Sequence, residues 1–263
     1  MPYTQLPDAR LYVEEHGDGP PLLLIHGTGS DADVWGSAID DLSRLCRVIS
    51  YDRRGFSRSA WPDLPPRTTP VPHAHDAVAL LEALDASPAV IIGRSYGGNV
   101  ALELALRYPD YVKALVLLEG GGEALSPEVQ TFIEELLARV RAAVAAGGLE
   151  AVGEALMRVV LGDDGYEAMP DERKQRTRDN GATILAELEG FFDVQPGPEQ
   201  LRRIACPVLV VSATTSPPAL QRCNETLVAA LPDARLATVG GGHLIIPADE
   251  QVVDFIREVR AAQ

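Results

Sequence analysis

The sequence predicts an α/β fold: a doubly wound, mostly parallel sheet with a helical segment inserted late in the chain. Three observations carry this reading. Apolar runs such as Leu22-Leu23-Leu24-Ile25, Val90-Ile91-Ile92 and Val208-Leu209-Val210-Val211 lack the alternation of a half-exposed strand, so they read as strands covered on both faces. Segments with helical spacing separate them, which is the pattern of parallel strands joined by helical crossovers. Between 123 and 200 the strand pattern disappears and only helical patterns remain. We therefore expect a core made of residues 1–122 and 201–263 and a helical cap, or lid, over 123–200.

Taken in order, residues 3–15 alternate loosely around Leu11, Tyr12 and Val13 and end in His16-Gly17-Asp18-Gly19-Pro20, an edge strand followed by a turn. The first buried strand, 22–25, leaves through His26-Gly27-Thr28-Gly29-Ser30, and a helix is expected from Val34-Trp35 to Leu45. Cys46-Arg47-Val48-Ile49-Ser50-Tyr51 is the next strand, and the polar run 52–59 turns out of it in an architectural role. Five prolines between 61 and 72 mark an irregular connector. Val78, Leu81 and Leu84 predict a helix over 75–84, with His73 and His75 solvated or capping at its start. After the strand 90–92, a helix runs to Arg107 and stops at Tyr108-Pro109-Asp110. Ala114-Leu115-Val116-Leu117-Leu118 is again a buried strand, ending in Glu119-Gly120-Gly121-Gly122.

Inside the insertion, Ser126-Pro127-Glu128 supplies an N-cap and a first-turn proline, and Val129, Phe132, Ile133, Leu136, Leu137 and Val140 recur at helical spacing. Further helices are expected over 149–160 and 183–192. The sheet resumes at 207–211 and breaks at 212–218, and a helix follows to Leu231. The last strand, 234–239, gives way to Gly240-Gly241-Gly242-His243, and a helix over 249–260 closes the chain.

The chemistry centres on Gly93-Arg94-Ser95-Tyr96-Gly97-Gly98, where a buried strand breaks into a serine and then into helix-forming sequence. A lone G-x-S-x-G is an ordinary turn. Between a strand and a helix it is a nucleophile elbow, whose glycines let the backbones pass close to a turn that lifts the serine hydroxyl clear of the sheet. The N–H of Tyr96, at the start of the helix, then points at a developing oxyanion. A second donor is expected from Gly27 or Thr28 in the glycine-rich exit of the first buried strand.

A serine needs a base and an acid to orient it. Of the five histidines only His243 follows a late strand in a flexible loop; His26 is expected to brace the loop it opens. No carboxylate occurs between Cys206 and Asn224, where the acid most often follows such a strand, and Ser216-Pro217 stands there instead. Glu119 is the carboxylate at a strand's carboxyl end between Ser95 and His243, and it is the expected third member.

These residues resemble the α/β-hydrolase superfamily over essentially the whole chain: His26-Gly27, the run 52–59, Gly93 to Gly98, and Gly242-His243. The resemblance implies a serine hydrolase with no metal or organic cofactor, acting on a small-molecule ester or lactone. Ser95 argues against the dehalogenase and epoxide-hydrolase branches, which carry Asp there. The pairing of a serine elbow with a glutamate after the sixth strand looks closest to the lactone hydrolases that open zearalenone, which share a similar acid-free loop. Substrates are expected to be uncharged and largely apolar, with Trp35, Phe132, Met157, Phe191 and Phe192 as contacts. An inert scaffold binding a small apolar ligand, and an acyltransferase, stand as alternatives.

Composition limits the partners. A net charge of −15 over 263 residues, without a basic run, argues against nucleic acid and against an anionic membrane surface. The N-terminus lacks a basic region followed by an apolar run, and the three cysteines, Cys46, Cys206 and Cys223, lack metal-ligand spacing. A cytoplasmic location is therefore expected, with self-association into a homodimer left open.

Overall fold

In the computed structural model, which describes residues 2–261, strands β1 (Tyr3–Gln5), β2 (Arg10–His16), β3 (Pro21–Ile25), β4 (Arg47–Tyr51), β5 (Ala89–Arg94), β6 (Val112–Leu118), β7 (Val208–Ala213) and β8 (Ala234–Val239) form one sheet. Its order is β1-β2-β4-β3-β5-β6-β7-β8. The first two strands run antiparallel to their neighbours and all the others are parallel. The single edge strand expected over 3–15 is thus two strands, paired through Tyr3 and Tyr12.

The absence of alternation in the central strands has the cause inferred from it, because both faces are covered. Leu22, Leu24, Val48, Val90, Ile92 and Val116 pack against α1 (Ala38–Ser43) and α10 (Glu250–Ala261) on one face. Leu23, Ile25, Ile49, Ile91, Leu115 and Leu117 pack on the other against α2 (Pro70–Ala83), α3 (Tyr96–Arg107) and α9 (Pro218–Ala230). Each such aliphatic side chain stabilises the fold by about 1.5–3 kcal/mol on burial, so the sheet is the rigid reference for everything at its edge.

Between β6 and β7 lie α4 (Pro127–Gly147), α5 (Glu150–Glu167), α6 (Asp171–Asp179), α7 (Gly181–Glu189) and the single turn α8 (Pro198–Leu201). Ser126 caps α4 by accepting from the Val129 N–H, as its sequence predicts. The insertion has its own apolar core of Leu136, Val140, Val152, Leu156, Met157, Ile184 and Leu188, into which Phe56 of the turn after β4 projects. That turn also ties the insertion to the sheet: Asn180 accepts from the Ser57 N–H at 2.7 Å, and Thr183 donates to the Gly55 carbonyl at 2.6 Å.

Three sequence expectations shift. The helix expected from Val34 to Leu45 divides at Gly36, whose φ of 47° ends a short 3-10 turn over Ala32–Trp35 before α1 begins. Helix α2 starts at Pro70 rather than near 75, because Thr69 caps it and its prolines fall in the first turn, where their missing N–H costs nothing. Consequently His73 is a buried residue inside the helix, while His75 is exposed. No helix among the described residues is long and apolar enough to cross a membrane.

Candidate functional site

The chain order reverses direction at β3, which lies between β4 and β5, so a crevice opens at the carboxyl ends of the central strands. Ser95 follows β5 there with φ 53° and ψ −125°, a conformation costly for a residue with a Cβ. Close packing holds it. A side chain at Gly97 would collide with the Ile25 carbonyl, and one at Gly120 with the carbonyl of Ser95 itself. The Ser95 N–H donates to Leu118 O at 3.0 Å and its carbonyl accepts from Gly98 N at 2.8 Å, anchoring the turn to β6 and to α3.

Glu119 follows β6 and is likewise at positive φ, 45°. Its carboxylate is buried and accepts three hydrogen bonds: from Ala213 N at 2.8 Å, from Ser216 Oγ at 2.5 Å and from His243 Nδ1 at 3.0 Å. Burial raises the cost of its charge. The bonds from His243, Ser216 and the Ala213 N–H outweigh that cost and hold its pKa below the usual carboxylate range. The loop without an acid therefore serves the acid on the neighbouring strand. It also holds the histidine's loop, since the Thr215 N–H donates to Gly241 O at 3.0 Å.

Ser95 and His243 line the same two cavities, although no hydrogen bond joins them among the described residues. The larger, about 310 Å³, is bounded by Gly27, Thr28, Gly29, Arg94 and Met157 among others, and the smaller, about 100 Å³, by Phe132, Ile133, Leu136, Phe191 and Glu123 among others. Gly27, Thr28 and Tyr96 carry backbone N–H groups that donate to no protein acceptor among the described residues. Gly27 lies against Ser95, and Tyr96 opens α3 directly after it. Such an arrangement can take a proton from Ser95 onto His243, share the resulting imidazolium charge with Glu119, and receive an anionic oxygen on free backbone donors.

Of the expected apolar contacts, Phe132 and Phe191 line the smaller cavity and Met157 the larger. Trp35 and Phe192 require correction. The 3-10 turn sends the Trp35 ring into the apolar layer with Leu22 and Ile39, and the residue is buried away from both cavities. Phe192 is 39% exposed and packs edge-on against Phe191, which takes the inward position. Among the described residues no group of three or more His, Cys, Asp or Glu is arranged to hold a metal ion.

His26 is structural. Its Nε2 accepts from the Arg53 N–H at 2.9 Å and its Nδ1 donates to Gly27 O at 2.8 Å. Burial first, then the Arg53 charge, keeps the ring neutral, with its pKa well below the ordinary value.

A residue that the sequence did not single out ties this loop to the insertion. Glu187 of α7 is fully buried, pairs with the Arg53 guanidinium, accepts from Thr28 Oγ1 at 2.8 Å and faces the His73 ring at 3.2 Å. Glu187→Ala is expected to destabilise the protein by about 3–5 kcal/mol, because it leaves the buried Arg53 without a counter-charge. The joint replacement Arg53→Met with Glu187→Leu should cost clearly less than the sum of the two single changes. Urea unfolding of all three variants checks this; strict additivity would mean that the two groups are not coupled.

The same fold recurs in known proteins. The model of the α/β hydrolase fold family matches residues 20–249. A protein named as the carbamate hydrolase RutD, from Azorhizobium caulinodans, is 30% identical over 92% of this chain and 91% of its own length. Among solved structures, a thermophilic esterase from Thermogutta terrifontis superposes with a TM-score of 0.76 at 24% identity, covering 100% of this chain and 96% of that one. The enol-lactonase from Burkholderia xenovorans LB400 superposes with a TM-score of 0.75 at 22% identity, covering 99% and 98%. With the family model spanning most of the chain and the strand-end crevice in place, this chain belongs to the α/β hydrolase fold family.

Proposed function

We propose that the protein is a serine hydrolase that cleaves a carboxylic ester or lactone through an acyl-Ser95 intermediate. The observation that carries this reading is the pairing of a strained, cavity-facing Ser95 with a His243 whose far nitrogen is held by a buried carboxylate. In this scheme His243 Nε2 removes the Ser95 proton as Oγ attacks the carbonyl carbon. The oxyanion is received by the Tyr96 N–H and by that of Gly27 or Thr28, and Glu119 holds the proton on Nδ1 and stabilises the imidazolium. Collapse expels the alcohol with the proton from His243. Water then attacks the acyl-enzyme by the same route, and the acid leaves.

The placement of Glu119 directly after the sixth strand resembles that of the acid in the zearalenone-type lactone hydrolases, which supports a lactone or ester substrate. Helices α4 to α7 act as the cap, and the apolar wall of Phe132, Ile133, Leu136 and Phe191 receives the apolar limb of the substrate. The esterase and the enol-lactonase among the structural neighbours are compatible with ester chemistry on this scaffold.

A fluorophosphonate probe tests the reading. Intact-mass and peptide analysis should find one adduct, on the peptide containing Ser95, and prior incubation with a turned-over ester should slow its formation. An unlabelled Ser95 in correctly folded protein, or labelling that ester substrates do not compete with, would remove the proposal.

A further inference from the structure

The proposed reaction leaves one side chain beside the nucleophile without a task. Arg94 is the last residue of β5, is 4% exposed, and lines the larger cavity next to Ser95. Burying a guanidinium is costly unless a carboxylate or a set of hydrogen bonds compensates it. The other arginines of this region obey that rule: Arg53 pairs with Glu187, Arg54 with Asp76 and Arg58 with Asp52. Arg94 does not. Among the described residues it makes no ion pair and no hydrogen bond to protein, and its guanidinium lies over the Trp35 ring, 4.8 Å from the centroid. Burial, and then the like charge of Arg173, lower its pKa to about 10, with no carboxylate acting in the other direction.

Arg173 reaches the same cavity from the opposite side. It is an exposed residue of α6, and it too has no ion pair among the described residues. In a chain of net charge −15, two guanidinium groups that face one cavity without a carboxylate partner, one of them buried, form a local positive site. The remaining wall is largely apolar, with Leu156, Met157, Val160 and Leu161. One buried and one exposed guanidinium suit a single negative charge.

We propose that the larger cavity is an anion subsite in which Arg94 and Arg173 bind a carboxylate carried by one limb of the substrate. The inference rests on the ester or lactone reading above and narrows its substrate class. The substrate is then apolar at one end and anionic at the other, with the scissile carbonyl at Ser95 between the two cavities. This departs from the wholly uncharged substrate expected from composition, because local pairing, and not net charge, decides what one cavity accepts.

Matched esters test it. On the acyl side, the mono-p-nitrophenyl ester of glutarate is compared with p-nitrophenyl pentanoate; on the alcohol side, the butyrate of 4-hydroxybenzoate is compared with that of 4-hydroxybenzamide. In one of the pairs wild-type kcat/KM should favour the anion by about 10-fold or more. Arg173→Gln should lower that ratio about 3- to 10-fold through KM, and Arg94→Met by about 30-fold or more. Because Arg173 is exposed, its variant keeps the test valid even if Arg94→Met fails to fold.

A wild-type ratio at or below 1 in both pairs overturns the proposal, as does a ratio that neither substitution changes. If no ester of either pair is hydrolysed, the ester reading has failed and binding decides the subsite separately. Ser95→Ala titrated calorimetrically with glutarate monoamide and with pentanamide should bind the anion more tightly, and adding Arg173→Gln should narrow the difference about 3- to 10-fold. Equal binding of the two ligands overturns the anion subsite.

Discussion

Ser95→Ala is expected to lower kcat for any ester substrate by roughly 10⁵ to 10⁶-fold while leaving the fold intact. The change removes only Oγ. The backbone of residue 95 keeps its Cβ and its positive φ, and the hydrogen bonds that hold the turn, Ser95 N–H to Leu118 O and Gly98 N–H to Ser95 O, use main-chain atoms alone. Unfolding stability should therefore stay within about 0.5 kcal/mol of wild type. Ligand affinity should survive, because the walls of both cavities are otherwise untouched. Steady-state kinetics on an activated ester, together with calorimetric binding and urea unfolding, measures all three quantities. Residual turnover within about 100-fold of wild type in a folded Ser95→Ala protein would mean that another nucleophile or a directly activated water does the chemistry.

The sheet was legible because a strand buried on both faces advertises itself locally: nothing but apolar residues survives in 22–25, 90–92 or 208–211. The elbow and Glu119 were legible for a related reason, since each is a polar residue where such a run meets glycine. Helix α6 was not. Its sequence, Asp171-Glu172-Arg173-Lys174-Gln175-Arg176-Thr177-Arg178-Asp179, has no apolar stripe, and the helix is supported by acidic residues in its first turn and arginines in its last. The place of Trp35 is not legible in the sequence, because an aromatic residue just after a ligand-facing loop points inward or outward according to the turn, and here Gly36 at φ 47° ends that turn.

The residues whose roles the sequence hides share one property: their importance depends on which distant groups pair with them, or fail to. Glu187 looks like the polar side of an amphipathic helix until Arg53, 134 residues earlier, is seen to need it. His73 looks solvated until α2 is seen to begin at Pro70 and to turn the ring toward Glu187. Arg94 lies inside the nucleophile-elbow motif, between Gly93 and Ser95. A basic residue closing a strand that is otherwise wholly apolar was the available hint, but only the missing partner in three dimensions gives it weight.

Glu119→Gln is expected to lower kcat by roughly 10² to 10⁴-fold without unfolding the protein. Three donors converge on this carboxylate: the Ala213 N–H on one oxygen, and the Ser216 hydroxyl with the His243 Nδ1–H on the other. An amide has one oxygen and one NH2 to offer them. If its oxygen stays on Ala213, the NH2 faces His243 and favours the tautomer protonated on Nε2, which cannot accept the Ser95 proton. If it flips, the NH2 meets the Ala213 N–H and leaves a buried donor unpaired, at about 1–3 kcal/mol.

The pH dependence of stability follows from the sign of the shift. Glu119 has a folded pKa below its unfolded value, so its contribution is present above the unfolded pKa and is lost as pH falls through the folded one. The stability gap between wild type and Glu119→Gln should therefore be widest near neutral pH and close on acidification.

Ser216 allows the role to be moved. Its Oγ lies 2.5 Å from the Glu119 oxygen that holds His243, so Ser216→Asp added to Glu119→Gln should recover part of the lost rate. The same Ser216→Asp change alone should impair the enzyme, because it sets two carboxylates against one imidazole. Stopped-flow acylation rates for the single and double variants separate these outcomes. A folded Glu119→Gln protein with near-native kcat would reduce Glu119 to a scaffold residue, and the orientation of His243 would then have to come from its own loop, through the Thr215 N–H that holds Gly241.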